Sequence, residues 1–277
     1  MNERDVTLDD GRVIHAYDSG SGERVLLWHH GSPQTGAVLE PALRAAGERG
    51  IRCVGYGRPS YGGSSANVGR DVASAARDVE KVADALGIDT FAVMGASGGG
   101  PHALACAALL PERVTAAVTL AGIAPFTTEF DWFAGMAAPD DIRAAFEGRT
   151  ARAHRAEVGE FDPASFIAAD YAALDGEWKS LGEDVGRSAQ WGGDGLIDDD
   201  VAFARPWGFD LAEVTVPVLV VQGGLDRVVP ARHGEWLARG IHSSQLWMRP
   251  DDGHVSVLSA VPDALDWIVA GEHGETI

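Results

Sequence analysis

An apolar run of β type, FAVM, leads into Gly95-Ala96-Ser97-Gly98-Gly99, and a run of small helix-forming residues, GPHALACAALL, leads out. A chain that passes from strand to helix within so few residues must turn sharply. The glycines two before and two after the serine let the two elements approach closely, while the serine is held in strained φ/ψ with its hydroxyl lifted clear of the sheet. In a chain with 35 glycines the five-residue pattern alone is weak. The strand before it and the helix after it make it a nucleophile elbow.

The rest of the chain supplies a sheet for that turn. Strands are expected over 4 to 8 and 12 to 18, then in RVLLWHHG and IRCVGYG, with a helix over 37 to 48 between the last two. RVLLW is apolar on consecutive positions, so both of its faces are covered, which points to a parallel sheet between helical layers. DVASAARDVEKVADALG carries Val72, Ala76, Val79, Ala83 and Leu86 at helical spacing and stops at Gly87. VTAAVTLAGIAP closes the first block. From residue 126 to 212 the chain reads as helical, with no convincing strand and many aromatic residues; the strand and helix alternation then resumes at VPVLVVQGG and QLWMRPDDGH. The organisation expected is a core of residues 1–125 and 213–277 interrupted by a helical insertion, residues 126–212.

At 277 residues with 45% hydrophobic side chains, the chain can bury one large core. Its formal charge of -19 repels nucleic acid and anionic membrane surfaces, so neither is expected as a partner. The charged N-terminus has no basic stretch followed by an apolar one, and no segment has the apolar length of a membrane helix, so a cytoplasmic location is expected. Cys53 and Cys106 have no metal-site or redox-pair spacing and are expected to be buried.

A serine hydroxyl is a poor nucleophile at neutral pH and needs a base, which in turn needs an orienting carboxylate. Asp226 in GGLDRVVP and His254 in DDGHVSV each follow a strand, as Ser97 does, at the sheet edge where open α/β folds build their sites. Asp251 and Asp252 are alternative acids, better suited to a turn. His233 falls in a helix, His242 before a strand and His273 in the tail; His30 reads as a turn residue and His102 as a packing or capping residue.

The HGSP turn, GYGRPSYGGS, the GASGG elbow, GGLDRVVP and DDGH together resemble the α/β-hydrolase superfamily over nearly the whole chain, in its capped serine-hydrolase branch of esterases and prolyl-aminopeptidase-like bacterial proteins. The resemblance implies a mostly parallel eight-stranded sheet flanked by helices, with a helical cap inserted after strand 6. It implies a catalytic triad of Ser97, Asp226 and His254 and an oxyanion hole at the N–H groups of Ser32 and Gly98, with no metal and no cofactor. Gly57 departs from the aspartate that many relatives carry before Arg-Pro, which bears on how the Arg58 loop packs.

A serine at the elbow implies acyl transfer and argues against the aspartate-nucleophile chemistry of haloalkane dehalogenases and epoxide hydrolases. The aromatic-rich insertion suggests an apolar pocket, with Phe126, Phe130 and Trp132 as candidate substrate contacts. The reading is a carboxylic-ester hydrolase whose partner is a small-molecule ester, the chain acting alone or as a homodimer. The alternatives are an amino-terminal exopeptidase, with Glu129, Asp131, Asp175 and Glu177 available to a substrate ammonium, a lyase or carbon–carbon bond hydrolase, and a non-hydrolytic binding protein.

Overall fold

The computed structural model describes residues 1–272; His273 lies outside them. Eight strands form one sheet: β1 (Asn2–Thr7), β2 (Val13–Asp18), β3 (Arg24–His29), β4 (Ile51–Tyr56), β5 (Phe91–Ala96), β6 (Val114–Leu120), β7 (Val218–Gly223) and β8 (Ser244–Arg249). Their spatial order is β1-β2-β4-β3-β5-β6-β7-β8. β2 runs antiparallel to both neighbours, and every pair from β4 to β8 is parallel.

The central strands explain their own position. Every residue of β5 and of β7 is buried, as strands covered on both faces require, whereas β8 at the edge is partly exposed throughout. Helices α1 (Glu40–Glu48), α2 (Ser74–Ala85) and α3 (Gly99–Leu109) belong to the first block. Two apolar layers result: Leu27, Val93, Leu104 and Val220 lie in one, and Trp28, Met94, Leu219 and Leu265 in the other. Cys53 and Cys106 are free thiols within them, and burial pushes the Cys53 thiol up to about 12.

Between β6 and β7 the chain forms five α-helices, α4 (Asp140–Phe146), α5 (Arg149–Val158), α6 (Ala168–Asp175), α7 (Lys179–Ser188) and α8 (Asp194–Phe203), and no strand among the described residues. After β7 come α9 (Arg232–Gly240), β8 and α10 (Val261–Glu272). This is the mostly parallel sheet with a helical segment after the sixth strand that the sequence leads one to expect. Among the described residues no helix is long and apolar enough to cross a membrane.

Candidate active site

Ser97 is the first residue after β5 and has φ 52°, in the left-handed region that costs an L residue about 1–2 kcal/mol. Its N–H donates to Leu120 O at 2.8 Å and its carbonyl accepts from Gly100 N at 2.9 Å, so the turn is tied to both neighbours. The flanking glycines are required by close approach. A Cβ at Gly95 would collide with the Gly99 carbonyl, and one at Gly99 with the His29 carbonyl.

His254 and Asp226 come from the loops after β8 and β7, and both reach the same point. The Ser97 hydroxyl stands 2.9 Å from His254 Nε2, and His254 Nδ1 stands 2.8 Å from Asp226 Oδ2. Asp226 is 5% exposed, and its second oxygen accepts from the N–H groups of Val228 and Val229, both at 2.8 Å. With its carboxylate so held, only the imidazole remains to share Oδ2 with the distant Gln222 amide at 3.4 Å. Burial works against the imidazolium, but the Asp226 charge and hydrogen bond, with Asp170 behind them, outweigh it and raise His254 above its ordinary value.

The other candidates are engaged elsewhere. The Asp252 carboxylate accepts from Arg249, and Asp251 is exposed. His233 accepts from Ala124 N–H through Nδ1 and donates to Trp132 O through Nε2, and its burial pulls it down to about 4. His102 donates from Nδ1 to Gly98 O at 2.7 Å, and burial, aided by the Arg58 charge, pulls it down to about 3.

The turn after β3 faces the elbow: a Cβ on Gly31 would lie 3.7 Å from Ser97 Cβ. His30 braces that turn in a single neutral form, donating from Nδ1 to Gly31 O and accepting the Arg58 N–H at Nε2. Burial, with the Arg58 charge, holds it well below its ordinary value. Gln34 Oε1 accepts from Gly31 N at 2.6 Å. Neither the Ser32 N–H nor the Gly98 N–H is taken by an intramolecular acceptor among the described residues. Two free donors beside a nucleophile are what a developing oxyanion needs.

Arg58 and Asp199 are buried neighbours of the site that sequence reasoning did not identify. Arg58 is 1% exposed; it donates to His30 O, to Ser32 Oγ at 2.8 Å and to Asp199 Oδ2 at 2.7 Å. The glycine at 57 is explained by space, since a Cβ there would lie 2.5 Å from Tyr61 O.

Ser97, His254, Ser32 and Gly98 open into a cavity of about 570 Å³. Its walls are largely apolar, including Met136, Phe166, Leu181, Val185, Leu196 and Phe203 from the helical segment. Phe126, Phe130 and Trp132, the expected substrate contacts, are not among the lining residues. Trp132 is 1% exposed, donates its indole N–H to Ala124 O, and packs with Phe126, Phe133, Phe146 and His233. Phe130 stacks edgewise on His233. Trp132 belongs to the core layer of the sheet, with Phe130 and Phe133 packed against that layer, whereas Phe126 and Phe146 are exposed. Glu129, Asp131, Asp175 and Glu177 are exposed and also lie off the cavity, whereas Asp200 in its wall is answered by Arg152 at 2.6 Å. Burial still pushes Asp200 up to about 6.

Residues 24–261 match the family model for the alpha/beta hydrolase fold. The chain belongs to that family. It is similar to a pimeloyl-[acyl-carrier protein] methyl ester esterase from Nitrosomonas europaea, 26% identical over 89% of this chain and 94% of that one. An uncharacterized hydrolase from Bacillus subtilis is 32% identical, but the match spans only 45% of each chain. Among solved structures, bromoperoxidase from Bacillus anthracis superimposes with a TM-score of 0.75 at 22% identity, over 97% of this chain and 99% of that one. The shared fold thus serves differently named activities, and the reaction must be argued from the site.

Proposed function

We propose that this α/β hydrolase is a serine carboxylic-ester hydrolase for small to medium, largely apolar substrates, with Ser97 as nucleophile, His254 as base and acid, and Asp226 as orienting carboxylate. Residues 126–212 act as its cap over the core of residues 1–125 and 213–277. The observation that carries the reading is the unbroken chain from Asp226 Oδ2 through His254 to Ser97 Oγ, at 2.8 and 2.9 Å, with Ser97 and His254 lining a largely apolar cavity.

The reaction follows from that geometry. Ser97 Oγ bonds to the ester carbonyl carbon as its proton passes to His254 Nε2, and the imidazolium is stabilised by Asp226. The carbonyl electron pair moves to oxygen, and the Ser32 and Gly98 N–H groups bind that oxyanion. Its collapse breaks the bond to the alkoxide, which leaves with the proton from His254. Water then repeats the sequence on the acyl-serine, giving its proton to His254 and releasing the acid.

A named methyl ester esterase among the relatives supports an ester as substrate. Glu129, Asp131, Asp175 and Glu177 lie away from the cavity, whose acidic lining residues are instead Asp141, Glu160, Asp162 and Asp200, so the substrate test separates the ester reading from the exopeptidase alternative. The test is hydrolysis of p-nitrophenyl acetate, butyrate and octanoate by the wild type and Ser97→Ala, with mass spectrometry after a fluorophosphonate probe. Turnover and a label on Ser97, both lost in the variant, are expected. Turnover confined to aminoacyl-p-nitroanilides would overturn the esterase reading.

A further inference from the structure

Four aspartates of the helical segment are buried without lining the cavity; Asp198 on α8 pairs with Arg149 and Arg70, and the other three are Asp170 on α6 at 1% exposure, Asp184 on α7 at 0% and Asp199 on α8 at 0%. Each of these three ends on a loop of the sheet that carries a group of the site. Asp170 Oδ1 accepts from Val255 N and Ser256 N, both at 2.8 Å, and from Ser256 Oγ at 2.9 Å, so it grips the two residues directly after His254. Asp184 takes Thr35 by two bonds, from its N–H at 2.9 Å and its hydroxyl at 2.8 Å, at the end of the turn that begins at His30. Asp199 Oδ2 accepts from the Ser32 hydroxyl at 2.8 Å and from the Tyr61 hydroxyl at 2.9 Å, while Oδ1 accepts from Arg70 at 2.8 Å.

Stability alone does not account for this pattern. Apolar contacts would join a helical segment to a sheet at less desolvation cost than buried charges, which are often no more stabilising than hydrophobic replacements. What a carboxylate adds is direction: a charge-assisted hydrogen bond to a backbone N–H fixes one loop atom against one side-chain atom. Oxyanion donors and a general base need that fixity, because donors work only at about 2.7–3.1 Å from the oxyanion, and small misplacements cost large factors in rate. The three carboxylates fall on the His254 loop, the end of the oxyanion turn and the oxyanion residue itself.

We propose that Asp170, Asp184 and Asp199 are positioning residues, through which the helical segment sets the His254 loop and the oxyanion turn and so forms part of the active-site framework. This rests on the serine-hydrolase reading of Ser97. Ser32 is the most direct link: its N–H is the proposed oxyanion donor while its hydroxyl is anchored to Asp199, which the guanidinium groups of Arg58 and Arg70 hold well below the ordinary carboxylate range against burial.

The experiment compares two inhibitors of equal chain length on Asp170→Asn, Asp184→Asn, Asp199→Asn and Ser32→Ala, the last keeping the oxyanion N–H. An alkyl trifluoromethyl ketone bonds to Ser97 as a tetrahedral oxyanion, whereas the corresponding secondary alcohol only fills the cavity. Concentrations are set by fluorophosphonate titration of active serine, and folding is followed by Tm. Asp184→Asn, Asp199→Asn and Ser32→Ala are expected to weaken the ketone about 10- to 100-fold and to lower kcat alike, with alcohol binding and KM within about threefold. Asp170→Asn is expected to slow fluorophosphonate labelling about tenfold or more with the same alcohol affinity. If Asp199→Asn does not fold, Ser32→Ala and Thr35→Ala carry the test. Folded variants with the wild-type ketone-to-alcohol ratio, or equal loss of both ligands, would overturn the proposal. A wild type that neither labels nor binds the ketone would overturn the hydrolase reading first, and this inference with it.

Discussion

Ser32 Oγ occupies the space that a side chain on Gly98 would need: a Cβ built at Gly98 lies 2.5 Å from it. Gly98 has φ -55° and ψ -14°, a conformation open to every residue, so the requirement for glycine is one of space alone. The hydroxyl cannot retreat, because Asp199 and Arg58 hold it at 2.8 Å each. Gly98→Ala must therefore displace the turn that carries one oxyanion donor or the residue that carries the other. A fall in kcat of about 100-fold or more is expected, the scale of losing one donor, with an overpacking cost of about 1–3 kcal/mol. Steady-state kinetics with p-nitrophenyl butyrate and a urea titration measure the two separately, and unchanged kcat would show that the turn takes up the methyl group without displacing the N–H groups of Ser32 and residue 98.

Strain at Ser97 yields a second prediction. At φ 52° alanine retains the steric penalty of a Cβ while glycine does not. Ser97→Gly is expected to be more stable than Ser97→Ala by about 1 kcal/mol, reversing the order found in ordinary helix and strand positions, with both variants inactive. Thermal denaturation of the pair decides it. A less stable glycine variant would mean that the elbow is relaxed in solution.

The elbow was legible because its main constraint is local: Gly95 abuts the backbone of Gly99 within the same strand–turn–helix unit, while Gly99 abuts the end of the neighbouring strand at His29, and the positions of Asp226 and His254 follow from strands that announce themselves by apolar runs. The cavity wall was not legible. Whether Trp132 faces a substrate or the core depends on which side of the segment meets the sheet, and composition is silent on that. The buried aspartates were hidden for a different reason. Among 41 acidic residues, nothing local separates Asp170, Asp184 and Asp199 from solvated neighbours. One signal was available in GLIDDDVAF, where three consecutive aspartates interrupt an apolar helical run with no basic residue beside them. A helix of that kind must find its cations elsewhere in the fold, as Asp199 does in Arg58 and Arg70.

The elevated His254 sets the pH behaviour. The base must be neutral, so activity is expected to rise with pH through an apparent pKa above 6.5, and to fall away below it. Burial opposes the imidazolium, and Asp226 is the first of the groups that overcome it; with Asp226→Asn, burial dominates and the acidic limb should move to lower pH. That variant should also lose about 10⁴ in kcat through the wrong tautomer. Stability runs the opposite way. A histidine raised on folding contributes stability that is fully present below its unfolded value near 6.5 and is lost as pH rises through the folded value, so the wild type should show a stability increment at low pH that Asp226→Asn lacks. Rate profiles and Tm measured from pH 5 to 9 test both signs; a limb that moves upward in Asp226→Asn contradicts the assignment.

The division between core rings and cavity wall predicts two separable phenotypes. Trp132 is sealed among Phe126, Phe133, Phe146 and His233 and donates to Ala124 O, so Trp132→Ala leaves a void and an unpaired carbonyl. It should cost about 3–5 kcal/mol of stability while the relative rates on acetate, butyrate and octanoate esters stay as in the wild type. Leu181 lines the cavity from α7, and Leu181→Trp adds volume where a chain would lie. Its expected effect is selective: octanoate hydrolysis falling about tenfold or more relative to acetate, given about 1–3 kcal/mol per methylene in an apolar pocket, with stability little changed. Chain-length profiles and urea titrations of both variants separate the outcomes. An altered chain preference in folded Trp132→Ala would return that ring to the substrate, whereas an unaltered one in Leu181→Trp would mean that the acyl chain leaves the cavity by another wall.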